Sequence, residues 1–322
     1  TTSTQDPMFI RWSDQDDYTS WTASATNSAG SQRITDGSQI RTAVRTRGQI
    51  LILTDTSAHG MAFIGAPFTF GFQQLGSNCG AISAHSAVDV GGIVRWMSND
   101  AFYQFDGTVR KVPCTVEDFV FDNIEPKQLE QVYAGSNSAF GEVWWLYCTT
   151  ASNQIDRYVV FNYQENLWYT GTLVRSTWID TGTYSLPYAT KYDGSSSSTL
   201  YVHESGKDDD GSTMTSYIES GDFDIGDGDD MMFIVRMIPD FKDQVGNVNI
   251  SLKSRYYPSD TQTTKGPFYY STSTKRINPR SRGRQAAVRI ETNGYNAVTN
   301  DATGEDWRLG TIRFDVKSDG KR

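Results

Sequence analysis

The feature that most constrains this chain is a repeated unit of short strands joined by polar turns. Its clearest copy spans residues 142–173, EVWWLYCTTASNQIDRYVVFNYQENLWYTGTL. Strand-forming residues fill the runs EVWWLYC, YVVFNY and LWYTGTL, whereas Asn, Asp, Gly and Ser fill the gaps between them. Such a hairpin is barely stable alone in water, so it needs further sheets packed on its apolar faces.

The same unit recurs along the first part of the chain. An apolar run, a polar turn and an aromatic-rich return start near Ile50, near Ile93, near Val143 and, more weakly, near Leu200. Sheet units that recur about every 40–50 residues are typical of propeller blades. The chain also has 13% aromatic residues, 28 Gly and only 9 Pro, a composition typical of all-β proteins. We therefore predict an all-β fold whose body, residues 1–212, is propeller-like and built from repeated antiparallel sheets.

The pattern changes after the polar stretch 193–213, where we place a domain boundary. Val248, Ile250 and Leu252 alternate with polar residues, and similar alternation follows at residues 288–291 and 312–317. A period of two with one polar face indicates half-buried antiparallel strands. We predict that residues 213–322 form an antiparallel β-sandwich of about six strands.

Residues 115–133 form the one helical pattern, which we interpret as a short insertion between blades. Thr115 with Asp118 resembles a capping box, and Val116, Phe119, Val120 and Ile124 fall on one helical face. The phenylalanines at 63, 68, 70 and 72 are expected to pack between sheets, because aromatic side chains dominate core burial.

Recognisable catalytic motifs are absent from the sequence. The three histidines, His59, His85 and His203, lie in no nucleophile or metal motif, and there is no G-x-S-x-G, H-E-x-x-H or phosphate-binding loop. The odd number and wide spacing of Cys79, Cys114 and Cys148 favour buried free thiols over disulfides or zinc. We expect no enzymatic activity and no cofactor.

The ends and the apolar runs allow two further expectations. No run of 18 apolar residues marks a transmembrane helix, and no signal peptide is visible. Because the first residue is Thr1, we expect a processed or truncated chain that lacks at least one blade.

Two acidic segments are weighed as cation sites. Asp14, Asp16 and Asp17 form one, and the run from Asp222 to Asp230, with Asp224, Asp227 and Asp229, forms the other. Carboxylates around glycines suit Ca²⁺, but neither segment has EF-hand spacing. Turns whose carboxylates bond their own backbone are the favoured interpretation of both.

A basic segment near the end has the opposite sign to the chain, whose net charge is −9. Arg side chains suit bidentate contacts with carboxylate or phosphate. An acidic neighbouring subunit is favoured over a DNA backbone as the partner, and a solvated loop is the third interpretation. The candidate contact residues are Lys275, Arg276, Arg280, Arg282 and Arg284.

Several stretches carry a resemblance to a known family. They are IRWSDQDDYTSWTASATNSAGSQRI, GAPFTFGFQQLGSNCGAIS, VRWMSNDAFYQFDG, RSRGRQAAVRIE and DWRLGTIRFDV. Together they resemble the tail nozzle, or packaged-DNA stabilisation, proteins that form part of the head–tail connector of short-tailed bacteriophages.

The resemblance implies a structural protein of the virion tail. It implies a homo-oligomeric ring, commonly a hexamer, around the DNA exit channel, with double-stranded DNA passing through. It also implies contacts with the portal and adaptor ring and with distal tail proteins, and it implies no enzymatic activity. A net acidic chain suits this role, because basic contacts would retain the DNA.

Two other classes of function remain open. One is a carbohydrate-binding tail receptor protein, in which Trp144, Trp145, Trp168 and Tyr169 stack on sugar rings. The other is a sialidase-like glycoside hydrolase, which would need two carboxylates across a cleft.

Overall fold

The structure, a computed structural model, describes residues 5–194, 197–212, 214–226, 228–292 and 305–321. The chain divides into two units, Thr1–Glu204 and Ser205–Arg322. Each unit is built almost entirely from antiparallel strands, which confirms the predicted all-β class.

The first unit contains four antiparallel sheets that follow one another in chain order. Within each sheet, strands adjacent in sequence are paired, as expected for units joined by short turns. A separate hairpin of two strands, β1 (Phe9–Trp12) and β2 (Gly30–Arg33), precedes them. The four sheets are β3–β6 (Ile40–Arg45, Ile50–Thr54, Ser57–Gly65, Thr69–Ser77), β7–β10 (Ala87–Val90, Ile93–Met97, Phe102–Phe105, Val109–Val112), β11–β14 (Tyr133–Asn137, Glu142–Tyr147, Arg157–Asn162, Leu167–Thr172) and β15–β17 (Thr177–Ile179, Tyr188–Tyr192, Ser198–Val202).

A separate apolar core lies between each pair of consecutive sheets. Leu51 and Leu53 of the first sheet pack with Trp96 of the second. Phe102 of the second sheet packs with Trp145 of the third, and a third core joins the third and fourth sheets. The first strands of the four sheets also lie side by side. Sheets stacked face to face around their first strands form the propeller-like body that the repeat predicts.

The repeat marks the same strand in three of the four sheets. Ile50, Ile93 and Glu142 each begin the second strand of a sheet, whereas Leu200 lies in the last strand of the fourth. The second strand of that sheet begins at Tyr188. The sequence pattern near Leu200 is therefore weaker, because it comes from a different strand of the sheet than the other three.

The helical insertion is shorter than predicted. It consists of α1 (Glu117–Phe121) and a 3-10 turn (Pro126–Gln131). The capping box is wrong: Val116 is the N-cap residue and no side chain caps the helix. Val120 is buried as expected, but Phe119 is exposed and lies under the guanidinium of Arg157.

The hairpin of β5 and β6 contradicts another expectation. Phe70 and Phe72 do pack, because both rings contact Trp12. Phe63 and Phe68 instead lie near the tip of the hairpin and are 72% and 71% exposed. Phe63 lies near the end of β5 and Phe68 lies in the turn between the two strands, and neither belongs to the apolar core of the sheet.

The second unit is a sandwich of two sheets, as predicted. Its strands are β18 (Tyr217–Glu219), β19 (Asp230–Val245), β20 (Val248–Arg255), β21 (Thr263–Tyr270), β22 (Ser281–Gly283), β23 (Gln285–Thr292) and β24 (Asp306–Lys321). One sheet has the order β18-β23-β20-β21 and the other β22-β19-β24. Val248, Ile250 and Leu252 point into the shared core with Met237 and Val316. The period-two alternation therefore identified the buried face correctly.

Among the residues that the structure describes, no helix has the length and apolar character needed to cross a membrane.

Candidate functional site

A buried carboxylate lies between the third and fourth sheets of the first unit. Glu142 is the first residue of β12, and its side chain is on the same face of the strand as Trp144. Glu142 is 8% exposed. Its Oε1 accepts a hydrogen bond from the Tyr169 hydroxyl at 2.6 Å, and its Oε2 accepts one from the Trp144 indole at 3.0 Å. Both oxygens therefore have a donor, as a buried carboxylate requires.

A second carboxylate, that of Glu204, meets the same region from the fourth sheet. Glu204 follows β17, and its φ of 57° turns the chain away from the strand. Its Oε1 accepts a hydrogen bond of 2.9 Å from Nδ2 of Asn137. Asn137 lies directly opposite Glu142 in the β11–β12 register, so the two acids share one end of the sheet.

The electrostatics of Glu204 differ from those of an ordinary surface acid. The residue as a whole is exposed, but its carboxyl group is partly desolvated. Desolvation raises the pKa of Glu204; the hydrogen bond from Asn137 opposes that shift, and the negative charge of Glu142 adds to it. The protonated form of Glu204 therefore persists to a higher pH than that of a free glutamate.

Asn137 provides an unused acceptor at the same place. Its side chain is fully buried, at 0% exposure. Its amide nitrogen donates to Glu204, but its Oδ1 has no partner within the described part of the chain. Buried polar atoms are nearly always hydrogen-bonded, so an unpaired oxygen beside two carboxylates is unusual.

Aromatic side chains fix the two sheets around these acids. Trp178 of β15 stacks on Trp144 with ring centroids 5.2 Å apart and 10° between the planes. The Trp178 indole donates to the carbonyl oxygen of Ser136 at 2.7 Å. Gly135 makes this approach possible, because a Cβ there would lie 2.4 Å from Cδ1 of Trp178. The site is therefore held by packing that tolerates no larger side chain at 135.

Tyr169 closes the outer side of the site. It is 37% exposed, and its hydroxyl is bonded to Glu142. Desolvation raises the pKa of Tyr169, and its hydrogen bond to Glu142 raises it further. Tyr169 thus remains a hydrogen-bond donor throughout the neutral range.

Two carboxyl groups in different surroundings can act as a general acid and a general base. Glu204 is the group that can deliver a proton, and Glu142 is held as an acceptor by two neutral donors. Enzymes that cleave glycosidic bonds use such a pair.

The aromatic residues predicted to stack on sugars have other roles. Trp145 is buried in the core, where its indole donates to the carbonyl oxygen of Ser86. Trp168 stacks on Phe161 and donates to the carbonyl oxygen of Pro113. Trp144 holds Glu142, and both Trp144 and Trp168 are half-buried, so Tyr169, at 37% exposure, is the most accessible of the four.

The predicted basic contact residues have different surroundings in the structure. Arg282 forms an ion pair with Asp319, and Arg284 stacks over Tyr257 at 5.3 Å. Lys275, Arg276 and Arg280 are exposed and form no ion pair within the described ranges. Their role as a subunit or DNA contact stays a prediction.

The acidic segments bond within the chain. Asp17 accepts hydrogen bonds from Thr19 within its own turn, as the turn interpretation predicts, whereas Asp14 accepts them from the more distant Ser28. Asp222 pairs with Arg255, while Asp227 lies outside the described residues. Within the part of the chain that the structure covers, no three His, Cys, Asp or Glu side chains are grouped to hold a metal ion.

The three cysteines are free, as predicted. Cys79 and Cys148 are buried, and Cys114 is half-buried. Desolvation raises the pKa of each thiol to about 11, so none is a reactive thiolate at neutral pH.

Sequence reasoning missed Glu142, Asn137 and Glu204 as a group. Glu142 and Glu204 are far apart in the sequence and meet because the third and fourth sheets stack. The available signal was a charged residue opening an aromatic strand, on the same face as Trp144 and Leu146. A glutamate at such a position must be paired or perform chemistry.

Comparisons with known proteins give structural matches alone. No family model and no curated protein matches the chain. One solved structure that it resembles is described as a glycoside hydrolase, with 8% identity, a TM-score of 0.28 and coverage of 78% of this chain and 81% of that one. Another is an exo-β-1,3-galactanase from Phanerochaete chrysosporium, with 9% identity, a TM-score of 0.31 and coverage of 97% and 94%.

Both solved structures are described as glycoside hydrolases, a finding that goes against the expectation of no enzymatic activity, which is not maintained below. At these TM-scores the likeness assigns neither an activity nor a substrate to this chain.

Proposed function

We propose that the chain is carbohydrate-active and that Glu142 and Glu204 cleave a glycosidic bond. The observation that carries the proposal is the pairing of two carboxyl groups at one end of the third sheet, one with a raised pKa and the other bonded by Tyr169 and Trp144. A carboxyl group with a raised pKa beside a second, hydrogen-bonded carboxylate is typical of catalytic sites.

The reaction follows from the two environments. Glu204 donates its proton to the leaving oxygen as the bond from the anomeric carbon to that oxygen breaks. A water oxygen bonds to the anomeric carbon, and the proton that this water loses passes to Glu142. Exchange with solvent then returns both groups to their starting states, so the net change is addition of one water across the glycosidic bond.

Turnover of glycosides tests the proposal directly. The full chain is incubated with a panel of aryl glycosides and neutral and acidic polysaccharides, and reducing ends are measured. Glu204→Gln and Glu142→Gln should each lower the rate by about 10²- to 10⁴-fold. Glu165→Gln, an exposed acid in the turn before β14, is the matched control and should leave it unchanged. No turnover on any substrate, or full activity in both variants, would contradict the proposal.

We also propose that the chain is a component of a phage tail, present in the virion and assembled as a ring of identical subunits. The specific observation in favour is the tip of the β5–β6 hairpin, where Phe63, Ile64 and Phe68 are exposed together. Large apolar side chains grouped on a surface are typical of protein contacts. The resemblance to tail nozzle proteins supplies the partners: the portal and adaptor ring, distal tail proteins and double-stranded DNA in transit. A carbohydrate-active site is compatible with this location.

The oligomeric state tests this second function. We expect the chain to form a multimer of defined size in light scattering and native mass spectrometry. The double variant Phe63→Ser, Phe68→Ser should reduce it to smaller species, whereas Phe140→Ser, an exposed ring on a different loop, should not. A wild-type chain that remains monomeric at high concentration would count against the ring.

A further inference from the structure

A cavity of about 330 Å³ opens at the other end of the third and fourth sheets. Strand β12 runs from Glu142 to Tyr147, and the cavity is lined by the loop that follows, residues 153–155. At about 3.3 Å for each residue of a strand, the cavity is on the order of 20 Å from the carboxylate pair. It is therefore a separate site.

The lining of the cavity is polar but carries no charge. It combines side-chain amides, a hydroxyl, a phenol and two aliphatic side chains, and it contains no Asp, Glu, Lys, Arg or His. The lining residues are Gln131, Asn153, Gln154, Ile155, Val174, Ser176 and Tyr192. A ligand that carried a formal charge would lose water there without gaining a partner of opposite sign.

The polar groups of the cavity are available to a ligand. Gln131 is held in place, because its amide nitrogen donates to the carbonyl oxygen of Asn153 at 3.1 Å. By contrast, the side chains of Asn153, Gln154, Ser176 and Tyr192 form no hydrogen bond with any residue that the structure describes. Each of the two free amides offers both donors and an acceptor, which matches the hydroxyl groups of a sugar.

Tyr192 supplies a flat apolar surface beside these amides. It is the last residue of β16 and is 47% exposed, so part of its side chain is accessible to a ligand. An amphipathic ring next to amides suits a ligand with one apolar face and a polar rim, as a pyranose has. The volume is near the lower end of the range for small-molecule sites, so it fits on the order of one or two sugar rings.

We propose that this cavity is a binding site for a neutral carbohydrate, with Tyr192 stacking on the sugar and the amides of Asn153 and Gln154 bonding its hydroxyls. The site does not depend on the carboxylate pair, and binding here requires no hydrolysis. If the chain cleaves glycans, as proposed above, this cavity would bind a segment of the polymer that is distant from the reacting bond.

Binding is measured on the full chain by NMR or calorimetry with galactose, glucose, mannose, N-acetylglucosamine and their disaccharides as probes. Glucuronate and a neutral tripeptide serve as comparison ligands. At least one neutral sugar should bind at millimolar concentration or better, and Tyr192→Ala should weaken it by roughly five- to tenfold. Gln154→Ala should weaken it as well. Tyr184→Ala, an exposed tyrosine on the opposite loop of the same sheet, is the matched control and should change nothing.

The outcomes separate this site from the carboxylate pair. Glu204→Gln should retain full sugar binding at the cavity even where turnover is lost. Thermal melting of each variant checks that the fold is intact. The proposal is overturned if no neutral sugar binds or if glucuronate or the peptide binds better. It is also overturned if folded Tyr192→Ala and Gln154→Ala both bind the sugar with the affinity of the wild type.

Discussion

Replacing Gly135 by alanine should separate the third and fourth sheets. The new Cβ would lie 2.4 Å from Cδ1, 2.8 Å from Cγ and 2.9 Å from Cβ of Trp178. These atoms cannot move away easily, because Trp178 is buried, stacked on Trp144 and hydrogen-bonded to Ser136. The clash must therefore push β15 away from β11.

These contacts set the expected loss in the free energy of unfolding. Overpacking of this kind typically costs about 1–3 kcal/mol. Weakening the Trp178–Ser136 hydrogen bond removes about 1 kcal/mol. Because the two effects overlap, we expect a loss of about 2–3 kcal/mol in the free energy of unfolding of the first unit. For a unit of about 200 residues this corresponds to a fall of roughly 5–10 °C in Tm.

Guanidinium unfolding followed by tryptophan fluorescence is the assay. Trp307 is the one tryptophan beyond Glu204, so the signal reports mainly on the first unit. Gly48→Ala is the matched control, since a Cβ there meets no atom within 4 Å. Its midpoint should stay the same or rise slightly. An unchanged midpoint in Gly135→Ala would refute the close packing of Trp178 on β11.

Three further predictions concern protonation and burial. Folding raises the pKa of Glu204, so the stability gained from its proton is complete below the pKa that Glu204 has in the unfolded chain and is lost as pH rises through its pKa in the folded chain. Tm measured from acidic to neutral pH should show the wild type losing stability relative to Glu204→Gln. A Tm difference that stays constant with pH would contradict the raised pKa. Tyr169→Phe leaves a buried oxygen of Glu142 without its donor and should cost about 1–3 kcal/mol in urea unfolding, with an unchanged midpoint as the contrary result. Cys79 and Cys148 should react with a thiol reagent in guanidinium and resist it in the native state; rapid native labelling would show that they are not buried.

The fold was more predictable than the site because sheet packing leaves periodic marks in the sequence. Val248 and Ile250 alternate with polar neighbours, and that alternation alone identifies the core face of β20. Composition did not predict the exposure of side chains near the tip of a hairpin. Phe63 and Phe70 lie in similar sequence, but Phe70 packs against Trp12, as Phe72 does, whereas Phe63 is exposed.

The site left one weak local mark, the glutamate that opens the aromatic strand β12. Glu142 and Glu204 meet only after the third and fourth sheets have stacked, and nothing near either residue resembles a catalytic motif. Their pairing depends on the conformation at Glu204, with its φ of 57°, and on the register that sets Asn137 opposite Glu142. A single sequence specifies neither in a way that local patterns can reveal.

The order in which strands pair implies that the two units fold at different stages of synthesis on the ribosome. Every sheet of the first unit after the opening hairpin joins strands adjacent in sequence, so each can form and dock on its predecessor before the next is synthesised. The sandwich must form later, because β19 pairs along most of its length with β24, the last strand that the structure describes. Until β24 emerges, one long edge of β19 is open to pairing with a neighbouring polypeptide, and translation pauses or truncations in that interval should promote aggregation.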